Sequence, residues 1–291
     1  MNMTTPRLRP MMTVDVFTHT PYLGNPVTVV LDSEGLDTAQ MLAFTRWTRL
    51  SEATFVLPPS AKARALGADY EVRIFSSAGE MDFAGHPTLG TCHAWLAQGG
   101  QPQSPDRIVQ ACKAGLIQLQ PSTHGWAFAA PPAQKRSLPA CMPQILSAIS
   151  LQVEHIHASA LLDVGAPWLC LQLDSLKQLR GMQPDSTQLR ALTPLFADDV
   201  GIGVCALTGN PTTPLEVRAF MLNGEEDPVT GSLNAALAQW LTQRQVLRAP
   251  YLAEQGRGVG RQGVLAITQD AQAQLWVGGH CVTCVQGHVL L

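Results

Sequence analysis

The sequence predicts an α+β protein of two similar lobes, each a barrel-like sheet wrapped around one central helix, the pair related by a pseudo-two-fold. Three observations predict it. A strand phrase occurs twice: YEVRIF (70–75) and LEVRAF (215–220) share Glu71 with Glu216, Val72 with Val217, Arg73 with Arg218 and Phe75 with Phe220. A helix-like phrase follows each copy, GHPTLGTCHAWLA (85–97) and DPVTGSLNAALA (227–238). There Pro87 matches Pro228, Gly90 matches Gly231 and Ala94 matches Ala235, all at one offset of 141 residues. Both helical phrases are small and apolar nearly all round, the composition of a helix enclosed by other elements. Two matches in the same order mark a duplicated unit.

Each element has its own signal. VDVFTH (14–19) and VTVVL (27–31) flank a Tyr-Leu-Gly-Asn-Pro turn and read as a hairpin. Residues 37–48, DTAQMLAFTRWT, place Met41, Phe44 and Trp47 at helical spacing behind Asp37 as cap. ATFVL (53–57) reads as a strand after Ser51 and Glu52. YEVRIF and LEVRAF alternate as half-buried strands do. Pro87 and Pro228 are read as first helical residues, which puts His86 and Asp227 at the N-caps. Gly90 and Gly231, unfavourable inside helices, imply close approach by a neighbouring backbone or side chain. The proline-rich AAPPAQKRSLPA (129–140) is read as the linker. The first lobe is therefore set at 1–130 and the second at 131–277. The closing strands, about 278–291, are candidates to return to the first lobe.

Composition excludes several classes. A chain of 291 residues with 46% hydrophobic and 14% charged residues has ample material for a core. A net charge of −3 gives no basic footprint for nucleic acid. No long apolar run suggests a membrane span, and the N-terminal residues lack a signal-peptide stretch, so a cytoplasmic protein is expected. Seven irregularly spaced cysteines read as reduced thiols. Cys281 and Cys284 form a CxxC without a second pair, on an alternating run, so no metal is expected there. His155 and His157 would share a strand face without a third ligand. Trp95, Trp168 and Trp240 are read as core.

The chemistry suggested is proton transfer. Two helix N-termini offer backbone N–H groups, near Thr88–Thr91 and Thr230–Ser232, to a small carboxylate-bearing metabolite. Histidine titrates near neutrality unaided, and a carboxyl group does so when desolvated or crowded. His86, Asp227 and Glu52, the last in the apolar phrase LSEATFVL, are the candidate proton carriers, with Ser232 as hydroxyl donor.

VDVFTHTPYLGNPVTVV, LSEATFV, RIFSSAGEMDFAGHPTLG, GEEDPVTGS and VGGHCVTCVQGHVLL resemble, in content and order, the phenazine-biosynthesis PhzF-like family. That resemblance implies the diaminopimelate epimerase-like fold, with the active site between two lobes. It also implies an isomerase in which Glu52 is the general acid/base, supported by His86 and Asp227. Substrate contacts are expected from Asn25, Ser51, Gly85, Thr88, Gly231 and Ser232, with no metal or other cofactor, in a homodimer. The epimerase relatives carry a cysteine at each helix start. Here those positions read Gly85-His86 and Glu226-Asp227, which argues against two-thiol epimerisation. Two other readings stand beside the isomerase: an amino-acid or hydroxy-acid epimerase or racemase, and a non-catalytic small-molecule-binding protein that keeps the fold.

Overall fold

In a computed structural model, residues 6–196, 198 and 200–291 are described. The chain divides into two compact units, Met1–Ala129 with Gly278–Leu291, and Ala130–Val277. The second is continuous and interrupts the first. No helix of the described residues is long and apolar enough to cross a membrane.

The first unit opens with β1 (Leu8–Val16) and β2 (Asn25–Val30). They pair antiparallel from Met11↔Val30 to Val16↔Asn25, the expected hairpin with a longer first strand. Helix α1 (Thr38–Thr48) follows, with Asp37 as N-cap in a reciprocal capping box with Gln40. Then come β3 (Glu52–Leu57), α2 (Ala61–Ala65), β4 (Tyr70–Ser76), β5 (Glu80–Met81), α3 (Gly85–Ala97), β6 (Ile108–Cys112), β7 (Gly115–Ser122) and β8 (Gly125–Ala129). β2–β3 and β4–β6 are parallel pairs, whereas β3–β4 and β6–β7 are antiparallel, so the sheet is mixed. Helix α3 packs against β1, β2, β3 and β8. Gly90 lets it approach: a Cβ there would lie 2.3 Å from Val27 Cγ1, the close contact the sequence implied.

The second unit begins with β9 (Gln134–Arg136), α4 (Met142–Ala148), β10 (Ile156–Asp163), β11 (Pro167–Leu173), α5 (Leu176–Gly181) and α6 (Ser186–Leu192). It continues with β12 (Gly201–Leu207), β13 (Leu215–Phe220), β14 (Glu226–Asp227), α7 (Gly231–Gln243), β15 (Tyr251–Gln255), β16 (Gly263–Gln269) and β17 (Leu275–Gly279). β11–β12 and β13–β15 are parallel, and β12–β13 and β15–β16 are antiparallel, the same alternation as in the first unit. The stretch read as a linker contains β9, which pairs with β10 from Leu161↔Arg136 to Asp163↔Gln134, because its Gln-Lys-Arg core has no proline to interrupt a ladder. His155 ends a short 3-10 turn instead of sharing a strand face with His157, whose Nδ1 lies 2.8 Å from Asp174. β18 (Cys281–Leu290) then returns to the first unit, pairing along all of β1 from Leu8↔Leu290 to Val16↔Cys281.

The internal duplication extends to side chains. In β4–β5, Phe75 faces Glu80 across the ladder, and Arg73 binds Glu80 through Nε at 2.7 Å and Nη2 at 2.6 Å. In β13–β14, Phe220 faces Glu226, and Arg218 binds Glu226 at 2.9 and 2.7 Å. Each arginine also lies over the phenylalanine two residues on, at 5.1 and 5.0 Å. These features equate Glu80 with Glu226 and Met81 with Asp227. The two helices that follow, each 13 residues long, start at Gly85 and Gly231. The structural offset at the helices is thus 146 residues (231 − 85), and the sequence match at 141 is out of register by five. His86 corresponds to Ser232, and Asp227 has no polar counterpart.

Candidate functional site

Two expected caps are corrected by the helix boundaries. α3 starts at Gly85 with Ala84 as N-cap, so His86 is the second helical residue. Pro87 is the third, still within the first turn, where a missing N–H costs nothing. α7 starts at Gly231 with Thr230 as N-cap, so Asp227 lies three residues before the cap, in β14. The second helix start is therefore Thr230-Gly231 and not Glu226-Asp227.

Of the amides expected to face a ligand, two have partners within the chain. Thr88 N–H donates to Ala84 O at 3.2 Å, and Thr230 N–H donates to the Gln255 side chain at 3.1 Å. Both amides are engaged within the protein.

In the first unit, Glu52 and His86 come together. Glu52 is the first residue of β3, and His86 is in the first turn of α3; His86 Nε2 lies 3.3 Å from Glu52 Oε2. Asn25, fully buried at the start of β2, places Nδ2 3.4 Å from His86 Nδ1. Burial pushes the imidazole down to about 3, against a smaller upward pull from a hydrogen bond to the Pro26 backbone. By distance alone the Glu52–His86 contact would be an ion pair. The depth of the ring argues otherwise, because an imidazolium there would lose its hydration, and the contact is one between a neutral imidazole and a carboxyl group. At 3.3 Å the contact does not have hydrogen-bond geometry, so a proton passing between Nε2 and Oε2 requires the two side chains to realign. Ser51 is exposed and Gly85 is buried. Thr88 is fully buried and accepts a hydrogen bond from Gln110 Nε2 at 3.0 Å, while Tyr70 donates to Gln110 Oε1 at 3.1 Å.

In the second unit, Asp227 Oδ2 accepts a 2.6 Å hydrogen bond from the Thr230 hydroxyl. Ser232, the second residue of α7, accepts one at 3.1 Å from Trp168 Nε1. The ladders equate Glu52, beside Ala53↔Phe75, with Gly201, beside Ile202↔Phe220. A Cβ at Gly201 would lie 2.2 Å from Trp168 Cζ3. Where the first unit sets a carboxyl group against an imidazole, the second sets an indole against a hydroxyl. Gly231 is buried between these two groups of residues in sequence. Gln255, which carries no motif, lies outside the sequence reading, as do the side-chain hydrogen bonds of Trp168, read as core, and of Thr230, read only as an amide donor. Among the described residues, no group of three or more His, Cys, Asp or Glu side chains could hold a metal ion.

These features define a class: an internally duplicated α+β protein with a mixed sheet, carrying a candidate proton-transfer pair in one copy of its repeat. A family model described as phenazine biosynthesis-like protein matches residues 14–287, and the chain belongs to that family. It is 28% identical over 291 residues to antisense-enhancing sequence 1 of Schizosaccharomyces pombe, covering 94% of this chain and 96% of that protein. It is 28% identical over 300 residues to trans-2,3-dihydro-3-hydroxyanthranilate isomerase of Pseudomonas chlororaphis, covering 96% and 98%. A Bacillus anthracis protein of the PhzF family has the same fold, with a TM-score of 0.83 at 22% identity over 98% of this chain and 100% of that one.

Proposed function

We propose that the protein is an isomerase that moves a proton on a small carboxylate-bearing metabolite, with Glu52 as general acid/base and no cofactor. The observation that carries this reading is the 3.3 Å contact between Glu52 and a buried, neutral His86. A carboxylate that takes a proton from carbon must later return it to another carbon. A neutral imidazole has one N–H: in one tautomer Nε2 can donate to the carboxylate, and in the other it can accept from the acid, the ring hydrogen then being carried on Nδ1. The ring therefore serves both states only by exchanging tautomers. Asn25 belongs to this arrangement through His86 Nδ1. Asp227 supplies a second carboxyl group, and Ser232 a hydroxyl whose oxygen already accepts from Trp168, so that its own hydrogen is directed elsewhere. The curated relative named for trans-2,3-dihydro-3-hydroxyanthranilate makes that compound the first substrate to test. The homodimer implied by the family resemblance belongs to the same proposal and is checked by sedimentation velocity.

The test is turnover in deuterated water. Wild-type protein is incubated with trans-2,3-dihydro-3-hydroxyanthranilate and a panel of aromatic and amino carboxylic acids, and deuterium on carbon is followed by mass spectrometry. Glu52→Gln is expected to lower incorporation about 10²- to 10⁴-fold, the usual contribution of a positioned acid/base, while the fold is retained. Undiminished incorporation in that variant removes Glu52 from the mechanism. Inversion at one carbon without double-bond migration would turn the reading toward an epimerase.

A further inference from the structure

We infer that Gln255 is a positioning residue that sets the proton direction at Asp227 through the Thr230 hydroxyl; this rests on the reading that gives Asp227 a part in the reaction. Gln255 closes β15 and is 3% exposed. The orientation of its amide is fixed by a group that can only donate: the Thr230 backbone N–H points at Oε1 at 3.1 Å. Asn234 Nδ2 donates to the same oxygen at 3.0 Å. Nε2 is therefore the end that faces Thr230 Oγ1, at 2.8 Å, and the Asp227 backbone oxygen, at 3.1 Å.

The consequence follows from the valence of a hydroxyl. Thr230 Oγ1 has one hydrogen to give. Having accepted from Gln255, it turns that hydrogen to Asp227 Oδ2, 2.6 Å away, a length found when the acceptor is ionised. Oδ2 is thereby kept as an acceptor, and any proton that Asp227 carries during the reaction sits on Oδ1. Gln255 and Asp227 are 28 residues apart in sequence, yet three atoms in a row link the amide to the carboxylate.

The isosteric change Gln255→Glu keeps the shape but has no N–H to give, so the Thr230 hydrogen can turn toward the introduced carboxylate. With trans-2,3-dihydro-3-hydroxyanthranilate, kcat is expected to fall about tenfold or more with KM nearly unchanged, and one limb of the kcat–pH profile to move by about one unit. Thr230→Val should reproduce the loss and Thr230→Ser should restore activity, a split that simple packing at this site would not produce. A readout that needs no substrate accompanies these. In wild-type protein labelled with carbon-13 threonine, the Thr230 hydroxyl proton should exchange slowly enough to be seen by NMR, and in folded Gln255→Glu its chemical shift should change as the hydrogen turns to the introduced carboxylate. If wild-type protein turns over no substrate, the functional reading fails, and the NMR signal alone decides on Gln255. Should Gln255→Glu not fold, wild-type kcat in Thr230→Val overturns the inference. In folded Gln255→Glu, an unchanged pH profile together with an unshifted hydroxyl signal overturns it equally.

Discussion

His86 is held neutral by burial, and that has a consequence for stability. Its folded pKa, about 3, lies below the ordinary histidine value of about 6.5. Between those values the unfolded chain binds a proton that the folded protein does not, so stability rises with pH across this window and is fully present above it. As pH falls from about 6.5, the group withdraws stability with a slope of up to about 1.4 kcal/mol per pH unit. His86→Asn removes the titrating group. Its melting temperature should depend less steeply on pH between 6.5 and 4 than that of wild type; scanning calorimetry at several pH values checks this, and parallel curves would mean that His86 is not buried neutral. The residue scale also shows what a sequence can carry. Glu52 and His86 were legible because their phrases are specific to a family. Gln255 and Trp168 were not, because a glutamine ending a strand and a tryptophan in an apolar run look alike whether they hold a carboxylate, a hydroxyl or nothing.

The two hairpins carry one design in two environments. Arg73–Glu80 is about a quarter exposed on each side chain, whereas Arg218–Glu226 is 7% exposed on both. In the first pair the hydrogen bonds pull Glu80 below its ordinary range and raise Arg73. In the second, Arg218 also donates to Leu179 O at 3.2 Å and Met182 O at 2.9 Å, which ties it to α5 and the residue after it. Removing one partner of a buried pair strands the other, so Glu226→Gln should cost about 3–5 kcal/mol. Glu80→Gln, with water able to reach Arg73, should cost about 1 kcal/mol or less. Urea denaturation of the two variants separates them, and equal losses would contradict the difference in burial. At Gly201, alanine would push a methyl into the Trp168 ring. Gly201→Ala should cost about 1–3 kcal/mol and break the indole–Ser232 hydrogen bond, visible as a shift in tryptophan emission. At this scale the strands, the capped α1 and the close contact at Gly90 were legible, since alternation, a capping box and a helical glycine are local signals. The helix starts were not. Proline is harmless throughout the first turn, so Pro87 marked a turn without marking its first residue, and Pro228 preceded its helix altogether. Matching the prolines then displaced the repeat by five residues, an error that only the ladders and the arginine–glutamate pairs correct.

At the scale of the whole chain, the first unit depends on a strand that follows the second. β18 pairs along the full length of β1, and the ends of this ribbon are joined by Arg7 N–H to Leu291 O at 2.8 Å and Leu291 N–H to Arg7 O at 3.1 Å. Deleting Cys281–Leu291 should therefore strip hydrogen-exchange protection from β1 and β2 while β11, β12 and β13 keep theirs. Uniform loss of protection across both units would show that they unfold as one. The same routing orders events during translation. In chain order every strand of the second unit precedes β18, the partner of β1. Until β18 is made, β1 has one edge open, and that edge is the one a chaperone would shield during synthesis.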